Sequence, residues 1–174
     1  MPRIASEAFT EEDAFWLRRA FATAIQARKR GDRPFGAVIV DSQAASPGAM
    51  LAEAGSTQEG SGDGPLAHSE MNALAQVISR RVPRERLAGA TIYSSGEPCA
   101  MCAAAIFYTG LGRVVYGLSA AAILDLRNAR PETAGIALSC RDVLGAAHAP
   151  PHIIGPCLEE EGAEPHRGYW REAA

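Results

Sequence analysis

Residues 90–117, ATIYSSGEPCAMCAAAIFYTGLGRVVYG, decide the fold. The opening ATIYSS is short and rich in β-branched and aromatic residues, which reads as a buried strand. Gly96-Glu97-Pro98 then breaks the run as a turn. Small residues with Ile106 at helical spacing follow over 99–109, and RVVYG at 113–117 is a second strand. Strand, helix and strand joined by short turns argue for parallel pairing with the helix packed on the sheet.

The same alternation extends both ways. Upstream, Thr-Glu-Glu-Asp at 10–13 is an N-cap followed by acids at the positive helix end, and predicts a helix over 10–30. PFGAVIVD at 34–41 reads as a buried strand. Residues 42–65 are mostly Ser, Gly, Gln and Asp, a loop interrupted by a short apolar strand at 49–54. Met71, Leu74, Val77 and Ile78 share one face of a helix over 68–81, which Pro83 closes. Downstream come a helix over 119–127, a loop around Pro131, a strand near 152–155 and a final helix over 156–172. The fold class is α/β, with helices on both faces of the sheet.

At 174 residues the chain is expected to form one domain, 1–174. Its 47% apolar and 21% charged residues exclude wholesale disorder. A net charge of -3 disfavours a protein built around nucleic-acid binding. Neither a signal-peptide run nor a bilayer-length apolar stretch is present, so a cytoplasmic location without membrane attachment is expected. Four cysteines there are not expected to form a disulfide framework.

The residues that carry chemistry lie at two helix starts. His68 and Cys99 each open a predicted helix directly after a loop, and Cys102 follows Cys99 by one turn on the same face. The free N–H groups and macrodipole of a helix start lower a thiol pKa, and thiolate is the form that binds metal. Pro98 fits the first helical turn, where its missing N–H costs nothing. Two thiolates and an imidazole suit zinc and leave a fourth tetrahedral position for water. A structural site would want four protein ligands, so an open position implies catalysis. Glu70 faces a different direction from His68 and reads as a proton shuttle rather than a ligand. Taken singly, Cys-x-x-Cys also fits a redox dithiol and His68 a solvated helix start. The combination is what is specific.

His68-Ser69-Glu70 with Pro98-Cys99-Ala100-Met101-Cys102 forms the H-x-E and P-C-x-x-C signature of zinc nucleobase deaminases. Together with PFGAVIV, TIYSSGEPCAMCAAAIFY and RVVYG, it makes the chain resemble the cytidine deaminase-like superfamily. Within it, the chain is similar to the branch of bacterial guanine deaminases and tRNA adenosine deaminases, from Phe15 to Tyr116. The resemblance implies a three-layer αβα fold with a five-stranded mixed sheet, and a homodimer. It implies one zinc per chain on His68, Cys99 and Cys102, with Glu70 carrying protons between water, ring nitrogen and departing ammonia. A backbone carbonyl in the 94–97 segment would accept from the amine, which singles out Ser95. Tyr108 stands where guanine deaminases carry a lining aromatic.

Two departures bear on substrate. The Asn that holds a purine in guanine deaminases is replaced by the neighbourhood Ser56-Thr57-Gln58, where Thr57 offers a hydroxyl that cannot match a bidentate amide. The family's His-Ala-Glu is His-Ser-Glu here. Glu132 lies where some guanine deaminases carry a second proton relay, with Asp125 the poorer candidate. His166, Tyr169 and Trp170 gather at the C-terminus as a lid, a dimer contact or core packing.

The function expected is zinc-dependent hydrolytic deamination of a free nucleobase or nucleoside. Guanine or a related aminopurine comes first, and cytosine-type bases or aminotriazines next. Editing of tRNA adenosine would call for a basic surface, and only Arg80, Arg81, Arg84 and Arg86 cluster. A non-catalytic, zinc-stabilised binding domain would have no use for Glu70.

Overall fold

Thr10 starts the first helix with a reciprocal cap. Its hydroxyl accepts from the Asp13 N–H at 3.1 Å, and the Asp13 carboxylate accepts from the Thr10 N–H at 2.8 Å. A computed structural model describes residues 8–45, 48–129 and 135–172. In it, α1 (Glu11–Lys29) buries Trp16, Leu17, Ala20, Phe21 and Ala24 along one stripe. Beyond it lie β1 (Gly36–Asp41), β2 (Ala49–Gly55), α2 (Ser69–Ser79), α3 (Arg84–Ala88), β3 (Ala90–Gly96) and α4 (Ala100–Thr109). The chain continues through β4 (Arg113–Leu118), α5 (Ala120–Leu126), α6 (Cys140–Gly145), β5 (His152–Ile154), α7 (Glu159–Ala163) and α8 (Tyr169–Glu172).

The sheet order is β2-β1-β3-β4-β5. β3, β4 and β5 are parallel, as the strand-helix-strand reading requires, whereas β1 is antiparallel to both neighbours. The expectation of parallel pairing is therefore corrected for β1. Its short link to β2 closes a hairpin, and β2 reaches β3 through α2 as a parallel crossover with β1 lying between them. The result is the five-stranded mixed sheet.

Alternation along the strands sorts the core into two layers. Ala37, Ile39, Ile92 and Val114 face α2, α4 and α6, meeting Leu74, Val77, Ile106 and Leu144. Val38, Val40, Tyr93 and Val115 face α1, meeting Leu17, Ala20 and Phe21. Each fully buried Leu or Ile contributes about 1.5–3 kcal/mol of transfer free energy. α1 approaches β1 closely because Gly36 has no side chain. A Cβ there would stand 2.3 Å from the Ala20 carbonyl oxygen.

Three local readings change. The single helix over 156–172 is three short pieces, because Pro165 opens a 3-10 turn at Glu164–His166 and Gly168 takes φ +77 before α8. Two helices, α3 and α6, lie where no helix was expected. Pro98 precedes the cap residue Cys99 instead of occupying the first turn. Among the described residues, no helix is long and apolar enough to cross a membrane.

Candidate active site

His68 and Cys99 occupy equivalent positions. Each is the N-cap of its helix with extended backbone, φ -67 and ψ 153 for His68, φ -66 and ψ 172 for Cys99, and neither side chain caps its own helix. Both side chains are thus left to face the same point. His68 Nδ1 lies 3.6 Å from Cys99 Sγ and 3.5 Å from Cys102 Sγ. A tetrahedral zinc bound at about 2.1 Å to nitrogen and about 2.3 Å to sulfur separates these atoms by about 3.6 Å, so the donor set fits the ion. His68, Cys99 and Cys102 are positioned to bind a metal ion, their donor atoms all within 4.8 Å of one another. The site sits at the carboxyl end of β3, where open α/β sheets bind ligands. A cavity of about 500 Å³ lies at the other end of that strand, beside Thr10, Thr91 and Arg113, away from these ligands.

Electrostatics prepares the thiols. The hydrogen bond from Cys102, reinforced by His68, lowers Cys99 to about 4 against opposing burial. The same bond to Cys99, together with burial, pushes Cys102 up. The hydrogen bond with Cys99 raises His68, outweighing burial.

Glu70, 6% exposed, stands in the first turn of α2. Ser94 Oγ donates to its Oε1 at 2.8 Å and Ser69 Oγ to its Oε2 at 2.9 Å. Burial pushes its carboxyl up and the Cys99 thiolate adds to this, while its own backbone N–H, His68 and Ser94 oppose. A carboxyl raised in this way holds a proton more readily than an ordinary glutamate, as an acid/base group must.

The remaining expected residues divide. Thr57 is near the ligands: its N–H donates to the Ala67 carbonyl, one residue before His68, and its hydroxyl accepts from Asn72 Nδ2 at 3.0 Å. Gln58 is engaged at both ends of its amide, accepting from Ser56 Oγ and donating to the Pro65 carbonyl. Ser95 is turned into the sheet. Its hydroxyl accepts from the Gly36 N–H at 3.0 Å and its carbonyl oxygen lies against Gly117. Tyr108 is 79% exposed and meets Phe107 edge-on. Asp125 is exposed on α5. Glu132 lies outside the described residues.

The C-terminal cluster is packed. Trp170 Nε1 donates to His166 Nδ1 at 3.2 Å, His166 meets Phe35 edge-on, and the Arg127 guanidinium lies 4.9 Å over Trp170. Arg33, Arg127, Tyr169 and Trp170 line a groove of about 450 Å³. The charge of Arg33 disfavours the protonated forms of both His68 and Arg127.

Sequence reasoning passed over Asn72, which ties β2 to α2 through the Gly55 carbonyl and Thr57. It also missed Glu97, whose carboxylate accepts from the first N–H of both α5 and α6 at 2.9 Å. The amide four residues after His68 was a signal for Asn72. Glu97 offered none, since its partners come from distant segments.

Comparison with known proteins agrees with this geometry. The family model for the cytidine and deoxycytidylate deaminase zinc-binding region matches residues 10–118. A Schizosaccharomyces pombe protein named a probable cytosine deaminase is 35% identical over 170 residues, 96% of this chain and 98% of the relative. A tRNA-specific adenosine deaminase of Agrobacterium fabrum is 30% identical, over 92% of this chain and 95% of the relative. The solved guanine deaminase of Nitrosomonas europaea shares the fold, with a TM-score of 0.68 at 17% identity, over 98% of this chain and 90% of that one. The chain belongs to the cytidine and deoxycytidylate deaminase zinc-binding family, whose members are zinc-dependent hydrolytic deaminases of nucleobases and nucleosides.

Proposed function

We propose that this protein hydrolytically deaminates a free amino-substituted nucleobase, with a cytosine-type pyrimidine as first candidate. The observation that carries the reaction is Glu70, buried and tethered on both oxygens beside the ligand triangle. Zinc, when bound by His68, Cys99 and Cys102, supplies Lewis-acid activation of a water molecule. Glu70 accepts the proton of the attacking water and returns protons to the ring nitrogen and the departing amine. Water adds at the ring carbon, its C–N bond breaks, and cytosine plus water gives uracil plus ammonia.

The sequence alone ranked guanine first. Gln58 spends one donor and one acceptor of its amide within its own loop, which competes with bidentate recognition of a purine edge, and the relative 35% identical over 96% of this chain is named a probable cytosine deaminase. Both support reversing that order.

Editing of tRNA adenosine is the second reading, favoured by the Agrobacterium relative. Against it stand the net charge of -3 and the arginine cluster, in which Arg80 donates to the Leu51 carbonyl and Arg86 pairs with Asp41. The homodimer belongs to the same proposal, and exposed Leu66, Tyr108, Ile136 and Leu138 suit coverage by a second copy.

Ammonia release across cytosine, guanine, adenine and their nucleosides tests the reaction. Glu70→Gln is expected to lower turnover by about a hundredfold or more while zinc content holds. A Glu70→Gln protein with full turnover contradicts the assignment.

A further inference from the structure

The one-residue departure from His-Ala-Glu to His-Ser-Glu has a use in this structure. Ser at a helix start ordinarily caps it, but the α2 cap position is His68 and Ser69 follows it inside the helix. The side chain is fully buried, where an unpartnered hydroxyl would be costly. Its Oγ instead donates to Glu70 Oε2 at 2.9 Å, while Ser94 holds Oε1. An alanine would leave Oε2 without this donor.

We propose that Ser69 is a positioning residue for the acid/base Glu70, fixing its carboxylate together with Ser94 so that the proton-carrying oxygen meets substrate in one orientation. This rests on the reading of Glu70 given above. A hydroxyl suits the task because it donates to a carboxylate and, after rotating, accepts from a carboxylic acid. Glu70 passes through both forms in each turnover, so the tether persists on either side of proton transfer. A backbone N–H could donate to either form but could not accept from the acid O–H.

The test compares zinc-loaded wild type, Ser69→Ala, Ser69→Thr and Glu70→Gln on the best substrate of the ammonia screen, reading kcat, KM, zinc content and melting temperature. Ser69→Ala is expected to lose between about tenfold and about a hundredfold in kcat, the scale of one hydrogen bond to a charged group. Its KM is expected to stay within about twofold and its zinc content to stay unchanged, because the hydroxyl touches neither substrate nor ion. Ser69→Thr keeps the hydroxyl and is expected to recover most of the rate. Wild-type kcat in Ser69→Ala overturns the proposal. So does a loss that follows zinc content or KM, or a Thr variant as slow as Ala while melting like wild type. If the added methyl lowers the melting temperature, kcat of Ser69→Ala alone decides. A dead Glu70→Gln beside an unaffected Ser69→Ala removes only the role of Ser69, whereas an active Glu70→Gln removes the reading beneath it.

Discussion

His68 and Cys99 converge because each leaves its helix cap unused. Sequence spacing placed both at helix starts, and pairing His-x-Glu with Pro-Cys-x-x-Cys identified the ligand set before any geometry was available. What spacing could not supply was the tethering of Glu70, since Ser94 reaches it from a strand 24 positions away. Ser95, adjacent to Ser94, points to the other side of the pleat, where its hydroxyl accepts from the Gly36 N–H. The ligand chemistry also sets a pH dependence. His68 and Cys102 are both raised and must lose protons to bind an ion, while Cys99, lowered to about 4, already has. Zinc affinity is therefore expected to fall as pH drops below neutrality, measured by competition with a chelating dye. An affinity independent of pH from 8 down to about 5 would contradict this ligand state.

At the scale of elements, long periodic segments such as α1 and β3 were legible, whereas α3, α6 and the broken C-terminal helix were not. Helices of five or six residues carry too few turns for a periodic signal and are held by tertiary bonds. Glu97 is such a bond for α5 and α6, and Glu97→Ala is expected to speed hydrogen exchange at both helix starts, with a loss of about 1–3 kcal/mol. A second tie joins α1 to β3 and β4: buried Arg113 pairs with Asp13 through both terminal nitrogens, and Tyr93 donates to the same carboxylate. Removing Asp13 leaves a buried guanidinium uncompensated, so Asp13→Ala is expected to cost about 3–5 kcal/mol in denaturant unfolding. Burial raises the Asp13 carboxyl, but Arg113 and Thr10 outweigh it and hold the pKa below its ordinary 3.8. The stabilisation is thus present above that value and lost as pH falls through the lower, folded one. Acid unfolding that begins no earlier in Asp13→Asn than in wild type would sink this assignment.

For the whole molecule, alternation of helix and strand gave the α/β class, but the sheet order depends on the β1–β2 hairpin. Strand pairing of that kind is set by loop closure and not by periodicity. The resulting order brings the α2 and α4 caps together at the carboxyl end of β3. Substrate choice was the least legible feature, because it depends on how the Ser56-Thr57-Gln58 loop uses its own polar groups. The central claim is hydrolytic deamination of a free base. Its most direct test is incubation of the zinc-loaded protein with cytosine in water labelled with heavy oxygen, followed by mass analysis of the product. The account predicts uracil carrying one solvent oxygen and one ammonia released per uracil. Unchanged cytosine, with inosine appearing in a tRNA anticodon stem-loop under the same conditions, would contradict it.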